Sequence, residues 1–464
     1  MTRYKGSLLG ILFLVLAMCD CFANDTLYLQ QFLEVVIENH PLIQKANIND
    51  DIAAAQILKG KGALDPKIYS DYGTKDFEDK DYYSIWQSEA KIPTRLPVDF
   101  SVGYERNDGL FLNNENIVPS NGLVYGTINV TLLRGLLFDE QRYNLKSFEL
   151  KALKSQLDKE ILTREIIYQA INSYLEWAVK SNDLKINQNY LDLITERHQN
   201  VVQLFVNGDS PAIDTIESRL NINSAEKLLL ESRSNLVKSV QNLSLFIWNE
   251  NEQALELNTG ILPVKLPTLV RDLKELATII NPNFIADPLI AKIDNEIQSI
   301  ELDSRLEKEN LKPTLDLKYN TILNLGKNEF EPSFTFNDYK YGVAFQYPIL
   351  NRKSKGQLRL NTAIATQNAL DKVHYIGQLN NKFLALISRE EIQEELLQVS
   401  NEKLNNSQLL YEAERLKFDL GESSVFLLNS RERKLLEAQS GLIKSYKSLG
   451  KIFSELYYLR LGQN

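Results

Sequence analysis

One short turn motif occurs twice in this chain and constrains its fold more than any other sequence feature. It reads Phe-Val-Asn-Gly-Asp-Ser over 205–210 and Phe-Asp-Leu-Gly-Glu-Ser over 418–423. Glycine tolerates the left-handed backbone that ends a helix, and the acid and serine that follow suit the start of the next helix. Long stretches without proline precede both copies. The motif therefore predicts two helical hairpins, each with a tight turn between long antiparallel helices.

The first 23 residues have the pattern of a secretory signal peptide. Two basic residues precede an apolar run, and small residues stand three places and one place before a predicted cleavage after Ala23. The two cysteines, Cys19 and Cys21, both lie in this segment, so the mature chain is expected to lack disulfides and thiolate ligands. Lipidation of Cys19 is disfavoured because Met18 stands where a small residue is needed.

Composition and motifs exclude several function classes. The chain has a formal charge of -9 and no dense basic patch, which argues against nucleic-acid binding. It contains no nucleophile elbow, phosphate-binding loop, dinucleotide fingerprint or HExxH sequence, and His40, His198 and His374 are isolated, so we expect neither an enzyme nor a cofactor or metal. Beyond the signal segment no apolar run reaches the roughly 18–20 residues of a membrane helix. The exported chain is expected either to stay soluble or to enter a membrane as a β-barrel.

Six segments have the alternation of aromatic or β-branched residues with polar residues that is typical of strands. The first half contains the predicted strands Lys67–Thr74, Tyr82–Ile92, Val98–Arg106 and Gly122–Leu132. The second half contains Thr314–Leu325 and Asn337–Tyr347. Such alternation fits strands that have one face against a core or against lipid.

The predicted elements follow the same order in both halves, which we interpret as two structural repeats joined by a linker at 249–267. The first repeat, 24–248, has helices at 27–61, strands at 67–133, a long helix at 139–206 and a helix at 212–247. The second repeat, 268–464, has helices at 268–310, strands at 314–347, a long helix at 357–420 and a helix at 424–461. The sequence Asp287-Pro288-Leu-Ile matches His40-Pro41-Leu-Ile. Most of the length difference lies in the strands, so the helices are expected to need matched lengths.

Long helices alone would predict an ordinary coiled-coil rod. A rod explains neither the signal peptide nor the strands, which the element order places at the end of the helices opposite both glycine turns. In an exported protein, aromatic-rich alternating strands of about 9–11 residues fit an outer-membrane barrel. A sheet in lipid must close, and four to six strands are too few to close around a pore. Several protomers are therefore expected to share one barrel.

This ordered set of motifs resembles the TolC-like outer-membrane efflux protein family over almost the whole mature chain. The resemblance rests on Asn39-His40-Pro41 after an amphipathic helix, on the strand exit at Thr131–Gly135, and on the doubled turns with Asp214 after the first glycine. It implies an α+β membrane protein and a homotrimer, in which long antiparallel helices form a periplasmic α-barrel that continues into a shared outer-membrane β-barrel. Family members are passive exit ducts of tripartite efflux or type I secretion systems, and they dock on a periplasmic adaptor (membrane fusion) protein linked to an inner-membrane pump or ABC transporter.

The resemblance also assigns site residues, with no catalytic, cofactor or metal site among them. The periplasmic mouth, where gating and adaptor docking are expected, comprises Phe205, Gly208, Asp209, Ser210, Asp214, Phe418, Asp419, Gly421, Glu422, Ser423, Leu427 and Ser430. The strand residues expected to face the membrane are Phe100, Val102, Tyr104, Val124, Ile128, Val130, Tyr339, Tyr341, Phe345 and Tyr347.

Two departures from the family pattern affect these expectations. Well-known members carry aspartates where this chain has Leu427 and Ser430, so closure is expected to be either apolar or acidic through other carboxylates. Those carboxylates are Asp209, Asp419 and Glu422, whose alternative role is to compensate helix dipoles. The four strands of the first half predict six strands per protomer and eighteen per trimer. The alternative is an external hairpin, Tyr82–Arg106, over a twelve-stranded barrel.

A different class of protein also fits the pattern, namely a secreted coiled-coil scaffold or adhesin without channel activity. A hydrolase on a helical stalk would need a catalytic residue set, which the sequence lacks. The sequence leaves open whether drugs, metals or a polypeptide would pass through a duct, and which adaptor would dock.

Overall fold

The structure is a computed structural model that describes residues 26–257, 260–278, 283–324 and 338–463. The predicted signal peptide and both cysteines lie outside the described residues. The same holds for 258–259 in the predicted linker, for 279–282 in the predicted helical segment 268–310, and for 325–337, which includes the predicted ends of two strands.

The described residues form eight helices of more than one turn and one six-stranded sheet. The helices are α1 (Leu29–Asn39), α2 (Pro41–Lys61), α3 (Glu140–Asn207), α4 (Ala212–Ser244), α5 (Leu266–Ala277), α6 (Pro288–Asn310), α7 (Arg352–Asp419) and α8 (Val425–Leu461). The strands are β1 (Lys67–Phe77), β2 (Lys80–Ile92), β3 (Val98–Asp108), β4 (Leu123–Leu133), β5 (Thr314–Asn324) and β6 (Tyr339–Gln346). Short 3-10 turns occur at Gly62–Leu64, Asn114–Asn116 and Phe284–Ala286.

The two longest helices, α3 and α7, have 68 residues each, which corresponds to roughly 100 Å of helix. No glycine or proline interrupts α3, and the side chain of Asp139 caps its start by accepting a hydrogen bond from the Arg142 N–H at 2.8 Å. Helix α7 begins at Arg352, earlier than the predicted start at 357, because the helix runs through Gly356. An interior glycine costs only about 1 kcal/mol relative to alanine, which so long a helix tolerates.

The chain divides into two compact units. The helical unit is formed by the described residues within Met1–Ile48, Asp158–Pro288 and Tyr375–Asn464. Its core contains large side chains that are almost fully buried, and these are Phe32, Tyr174, Trp177, Leu269, Leu273 and Phe453. Buried tyrosine needs a partner for its hydroxyl group. The Tyr174 hydroxyl donates to the Leu27 carbonyl and accepts from the Val264 N–H at 3.3 Å, which anchors the short parallel pairing of Thr26–Leu27 with Leu262–Pro263.

A buried ion pair also stabilises the helical unit. Arg164 Nη1 lies 2.6 Å from Asp287 Oδ2, and both side chains are almost inaccessible to solvent. Burial disfavours the charged guanidinium, but the hydrogen bond and the charge of Asp287 raise the pKa of Arg164 overall. The Tyr458 ring lies 4.4 Å from the guanidinium, and Gly462 packs so closely that a Cβ at this position would overlap Arg164. Asp287 therefore has a structural role that its match to His40 in the sequence does not predict.

The second unit, the sheet unit, is formed by the described residues within Asn49–Leu157 and Leu289–His374. Its six strands pair in the order β1-β2-β3-β4-β5-β6, and every pairing is antiparallel. The strands of the two halves of the sequence meet between β4 and β5, where Leu123 is opposite Asn324 and Leu133 is opposite Thr314. The hairpin β2–β3 lies inside the sheet, between β1 and β4. None of the helices in the described part of the chain is both long and apolar enough to cross a membrane.

Candidate functional site

The two glycine turns have the same backbone geometry. Gly208 and Gly421 have φ of +86° and +76°. The N–H of Gly208 donates to the Phe205 carbonyl at 3.0 Å, and the next N–H, of Asp209, donates to the Leu204 carbonyl at 2.9 Å. The corresponding donors at the second turn, Gly421 and Glu422, bond to Phe418 and Lys417 at 3.0 and 2.8 Å. This pair of backbone hydrogen bonds is the Schellman motif, which satisfies the last carbonyls of a helix and requires a residue with left-handed backbone conformation.

The serines of the motif do not cap the helices that follow. The N-cap positions of α4 and α8 are occupied by Pro211 and Ser424, one residue further along the chain. The Ser424 hydroxyl accepts from the Leu427 N–H at 3.3 Å, whereas Pro211 has no side-chain oxygen. The expectation that the acid or the serine of the motif caps the next helix is therefore wrong at both turns, because the chain needs one more extended residue before the helix begins.

The two motif serines instead hold carboxylates near the turns. Ser210 Oγ donates to Asp214 Oδ2 at 2.7 Å, and Ser423 Oγ donates to Glu414 Oε1 at 2.6 Å. The other oxygen of Glu414 lies 3.3 Å from Arg431 Nε. The hydrogen bond from Ser423, together with Arg431, lowers the pKa of Glu414. The second turn is thus tied to both of the helices that it connects.

The remaining predicted mouth residues lie at or beside the same two turns. Asp209, Asp419 and Glu422 are exposed, and Ser430 is half-buried in α8. The two phenylalanines differ, since Phe205 is exposed while Phe418 packs against a cluster that includes Tyr411 and Leu428. Exposed apolar side chains, which sequence reasoning did not single out apart from Leu427, surround the turns: Val206, Ile213, Ile216, Leu420, Phe426 and Leu427.

A second group that sequence reasoning missed joins the two helical hairpins. Arg197 in α3 forms a buried ion pair with Glu432 in α8, and burial lowers the pKa of the Arg197 guanidinium. Beside it, Asn429 Nδ2 donates to Glu217 Oε1 at 3.1 Å. Arg197 and Glu432 each lie about three helical turns from the nearer turn glycine. The equal distance from the turn glycines was the only sequence feature that could have indicated this ion pair, because an isolated charge on a helix normally predicts a solvated face.

The sheet has one face that is apolar and exposed, here called the apolar face. Directly opposed residues of paired strands point to the same side of a sheet, and side chains alternate along each strand. Ile68 and Tyr72 in β1 and Trp86 and Ala90 in β2 therefore share one side with residues of β3, β4, β5 and β6. Those residues are Val98, Phe100, Val102, Tyr104, Val124, Ile128, Val130, Leu317, Tyr319, Tyr339, Tyr341, Val343 and Phe345. Nine of the ten predicted membrane-facing residues lie here, and the tenth, Tyr347, follows the end of β6.

The opposite face, here called the polar face, carries most of the charged residues of the strands. They are Lys67, Asp71, Lys75, Glu89, Lys91, Asp99, Glu105, Asp316, Lys318 and Lys340. Arg106 and Asp108, near the end of β3, lie on the same side as the apolar face, opposite Trp86 and Ser84. At the centre of the polar face the Tyr125 ring covers Gly103, where any Cβ would overlap it, and the Tyr125 hydroxyl accepts from Gln87 Nε2 at 2.8 Å. In the inner strand β4, Tyr125 and Thr127 on the polar face are buried, whereas Ile128 on the apolar face is 42% exposed, as is Val102 in β3 at 56%. This distribution is the reverse of a water-soluble sheet, in which the apolar face is buried.

Both edges of the sheet are open. Within the described part of the chain, β1 pairs only with β2 and β6 pairs only with β5, and every residue of these two edge strands is exposed. An open edge presents unpaired N–H and C=O groups that can pair with another strand. Among the described residues, no group of three or more His, Cys, Asp or Glu side chains is placed to hold a metal ion.

No family model and no curated protein sequence matches the chain, but solved structures match it over almost its full length. The outer-membrane channel OprN has 15% identity and a TM-score of 0.65, and the match covers 96% of this chain and 92% of OprN. The CmeC outer membrane channel of Campylobacter jejuni has 11% identity and a TM-score of 0.64, with 94% and 85% covered. The MtrE outer membrane channel of Neisseria gonorrhoeae, in its open state, has 11% identity and a TM-score of 0.64, with 94% and 89% covered.

The chain therefore has the fold of outer-membrane channel proteins. The resemblance to TolC-like outer-membrane efflux proteins, which the doubled turn and the order of elements indicate, is confirmed at the level of the fold.

Proposed function

We propose that three copies of this protein form a passive exit duct from the periplasm across the outer membrane, and that the protein is not an enzyme. In this proposal the three sheets close into one shared β-barrel, and the helices of the three chains form a periplasmic α-barrel. Substrate moves through the duct without energy from the duct itself. An energised transporter in the inner membrane drives the transport.

The observation that carries the proposal is the distribution of residues over the two faces of the sheet. An exposed apolar face opposite a charged face is unfavourable in water and favourable where one face contacts lipid and the other lines an aqueous lumen. The open edges at β1 and β6 support a closed assembly of several copies, because an unpaired edge in lipid costs several kcal/mol per unsatisfied group.

The chain is proposed to consist of two repeats, 24–248 and 268–464. Each half supplies helices, strands, a long helix, a glycine turn and a final helix, and the two long helices α3 and α7 have equal length. Equal helices suit a tube wall, since a longer helix in one half would project beyond its neighbours. The two turns of each chain are proposed to form the periplasmic mouth, with six turns in a trimer.

The mouth is the proposed docking site for a periplasmic adaptor. Exposed apolar side chains beside the turns, including Ile213, Ile216 and Phe426, are suited to an apolar partner surface. Closure of the duct rests either on such apolar side chains together with Leu427, or on the exposed carboxylates Asp209, Asp419 and Glu422.

Neutralising the three carboxylates separates the two forms of closure. If closure is acidic, Asp209→Asn, Asp419→Asn and Glu422→Gln together should raise the conductance of the closed duct and lower its preference for cations. If closure is apolar, the triple variant should conduct like the parent protein, while Leu427→Ser should leak. Neutralising three exposed glutamates in helices away from the turns, Glu231→Gln, Glu391→Gln and Glu395→Gln, gives the matched control.

Fractionation and bilayer recordings test the proposed duct itself. The protein should be found in the outer-membrane fraction as a heat-resistant trimer, and the purified trimer should give discrete single-channel currents in a planar bilayer. A soluble, non-conducting product would reject the duct and favour a secreted coiled-coil scaffold or adhesin.

The proposed partners are an adaptor protein and either an inner-membrane pump or an ABC transporter. Neighbouring genes distinguish the two systems. An adaptor gene beside a proton-driven pump would indicate efflux of small molecules, and one beside an ABC transporter would indicate type I protein secretion. Deleting the gene and measuring drug tolerance and secreted protein in parallel tests the assignment.

A further inference from the structure

We propose that each protomer contributes all six strands to the shared barrel, so that the barrel has eighteen strands and a lumen wide enough for a polypeptide helix. This inference rests on the proposed trimeric duct and adds the width of its pore. The alternative is that the β2–β3 hairpin lies outside a barrel built from four strands per chain.

The pairing of β1 excludes a direct contact with β4 within one chain. β1 pairs with β2 along its whole length, from Lys67 opposite Lys91 to Phe77 opposite Lys80. β3 pairs with β4 from Val98 opposite Val130 to Glu105 opposite Leu123. A four-stranded arrangement would have to break both ladders and form a new one between β1 and β4. Each ladder hydrogen bond that is lost in lipid exposes two groups that cannot bond to water.

The two faces also continue through β2 and β3, except at Arg106 near the end of β3, which lies opposite Trp86 on the apolar face. On the apolar face, Tyr72 is opposite Trp86, and Ala90 is opposite Val102. An external hairpin on a barrel would contact lipid or solvent on both sides and would not need this match. The continuity therefore indicates that β2 and β3 share the environment of the other four strands.

The directions of the edge strands allow three copies to close. Five successive antiparallel pairings make β1 and β6 antiparallel to each other. When β6 of one copy meets β1 of the next, the new pairing is therefore antiparallel as well. Eighteen is an even number of strands, which an all-antiparallel closed barrel requires.

The stagger across the sheet fits a closed barrel of this size. Directly opposed residues in successive strands connect Lys67 in β1 with Lys340 in β6. Strand β6 extends six residues beyond Lys340, to Gln346. Lys67 begins β1 and Gln346 ends β6, so both mark the same end of the sheet. Aligning them between neighbouring copies gives an offset of six residues per copy. Three copies then give a stagger of about eighteen residues and a strand tilt of about 35°, within the range of about 35–45° seen in closed barrels.

Strand number and tilt determine the width of the pore. Eighteen strands spaced about 4.8 Å apart and tilted by about 35° enclose a circle about 33 Å across between opposite backbones. Twelve strands with the same total stagger would enclose about 26 Å. After a side-chain layer of about 5 Å on each wall, the open lumen is about 23 Å rather than about 16 Å. A helix with its side chains is about 10–12 Å across, so a lumen of about 23 Å leaves about 11–13 Å of width for water beside it, whereas a lumen of about 16 Å leaves only about 4–6 Å.

Single cysteines along β2 test the proposal. The only native cysteines, Cys19 and Cys21, can be replaced by serine, and one cysteine is then introduced at a time between 86 and 91. In an eighteen-stranded barrel, labels at Trp86→Cys, Ser88→Cys and Ala90→Cys should respond to a lipid-dissolved quencher. Cysteines at Gln87→Cys, Glu89→Cys and Lys91→Cys should react with a charged thiol reagent in water. This alternation with a period of two residues is the expected result.

An external hairpin would give a different result, in which no position from 86 to 91 alternates between lipid and water. That outcome would overturn the eighteen-stranded barrel. Tyr341→Cys and Lys340→Cys in β6 are the matched controls, because β6 lies in the barrel under both arrangements. If Tyr341→Cys does not respond to lipid and Lys340→Cys does not respond to water, the proposed membrane barrel itself fails.

A cross-linking experiment tests the stagger independently. With an offset of six residues, Ser70 in one copy lies opposite Val343 in the next copy on the apolar face. The pair Ser70→Cys and Val343→Cys should form covalent dimers and trimers on a non-reducing gel. The pair Ser70→Cys and Ala344→Cys, which puts the second cysteine on the polar face, should not. Cross-linking of the second pair, or of neither pair, would contradict the proposed stagger.

Discussion

The guanidinium group of Arg197 in α3 is paired with the carboxylate of Glu432 in α8, and the two side chains are 6% and 2% exposed. Within the described residues, the Nε and Nη2 atoms of Arg197 have no hydrogen-bond partner. A buried ion pair gains little net stability, because desolvation offsets most of the attraction. Each of the two charged side chains is nevertheless needed by the other, since removal of one leaves an uncompensated buried charge.

Replacement of one partner should therefore destabilise the helical unit strongly. Arg197→Met leaves Glu432 buried without a counter-ion and should lower the free energy of unfolding by about 3–5 kcal/mol. The double variant Arg197→Met/Glu432→Leu should recover most of this loss. Thermal unfolding of the detergent-solubilised protein, followed by circular dichroism, measures both. Equal destabilisation by the single and the double variant would show that packing, rather than charge, sets the cost.

The left-handed glycines at the two turns give a second prediction. A Cβ at Gly208 or Gly421 meets no atom within 4 Å, so the cost of Gly208→Ala or Gly421→Ala is conformational, at about 1–2 kcal/mol. Gly377→Ala in α7 also meets no atom within 4 Å, but a helical glycine has no left-handed backbone, and this control should stabilise by about 0.5–1 kcal/mol. Thermal unfolding of the three variants provides the comparison.

Proline at the same turns tests their functional role. Gly208→Pro and Gly421→Pro cannot adopt the positive φ and also remove the N–H that bonds to Phe205 or Phe418. We expect that these variants lose export while trimers still reach the membrane, measured by a transport assay and by membrane fractionation. Normal export by both variants would mean that the turns only connect helices.

His40 should make stability depend on pH. Its Nδ1 accepts the Leu42 N–H at 3.2 Å at the start of α2, and its ring lies against Phe246, with 5.6 Å between ring centroids. Burial lowers the pKa of His40 from its ordinary value of 6.5, which the backbone hydrogen bond with Leu245 only partly opposes. The unfolded chain therefore binds the proton more readily than the folded chain.

The direction in which stability changes with pH follows from this difference in proton binding between the folded and the unfolded chain. The contribution of neutral His40 is fully present above pH 6.5 and is lost as the pH falls below it, by about 1.4 kcal/mol for each unit by which the pKa is lowered. Thermal unfolding between pH 8 and pH 5 should show this loss, and His40→Asn, which keeps a capping acceptor, should flatten the curve. His374→Asn, at an exposed position, is the matched variant for the same chemical change outside the core.

Gly103 gives a prediction for the sheet. A Cβ at this position would overlap the Tyr125 ring, and Gly103→Val should force the ring out of its hydrogen bond with Gln87. Overpacking of this kind costs about 1–3 kcal/mol, which should lower the temperature at which trimers dissociate in detergent gels. Gly126→Val serves as the control, because it lies in the inner strand β4 and its Cβ would meet only Thr321 Cγ2 at 3.4 Å, an ordinary van der Waals distance. Equal effects at both glycines would show that the Tyr125 contact is not important for assembly.

Features that depend on neighbours along the chain were predictable from the amino-acid sequence. Alternation within strands assigned Phe100, Val102 and Tyr341 to one face, and the absence of glycine and proline indicated the long helix α3. The two glycines marked the turns, because only glycine adopts positive φ without strain. These features arise from contacts between residues a few positions apart, so a local pattern records them.

Features that depend on residues far apart in the chain became visible only in the folded protein. The sequence did not show that Arg197 would pair with Glu432, that Asp287 would hold Arg164, or that the ring of Tyr125 would cover Gly103. It left two positions open for the β2–β3 hairpin, and the ladders to β1 and β4 place the hairpin inside the sheet. The physical reason is that a lone charge or an alternating strand has many possible partners, and only packing of the whole chain selects one of them.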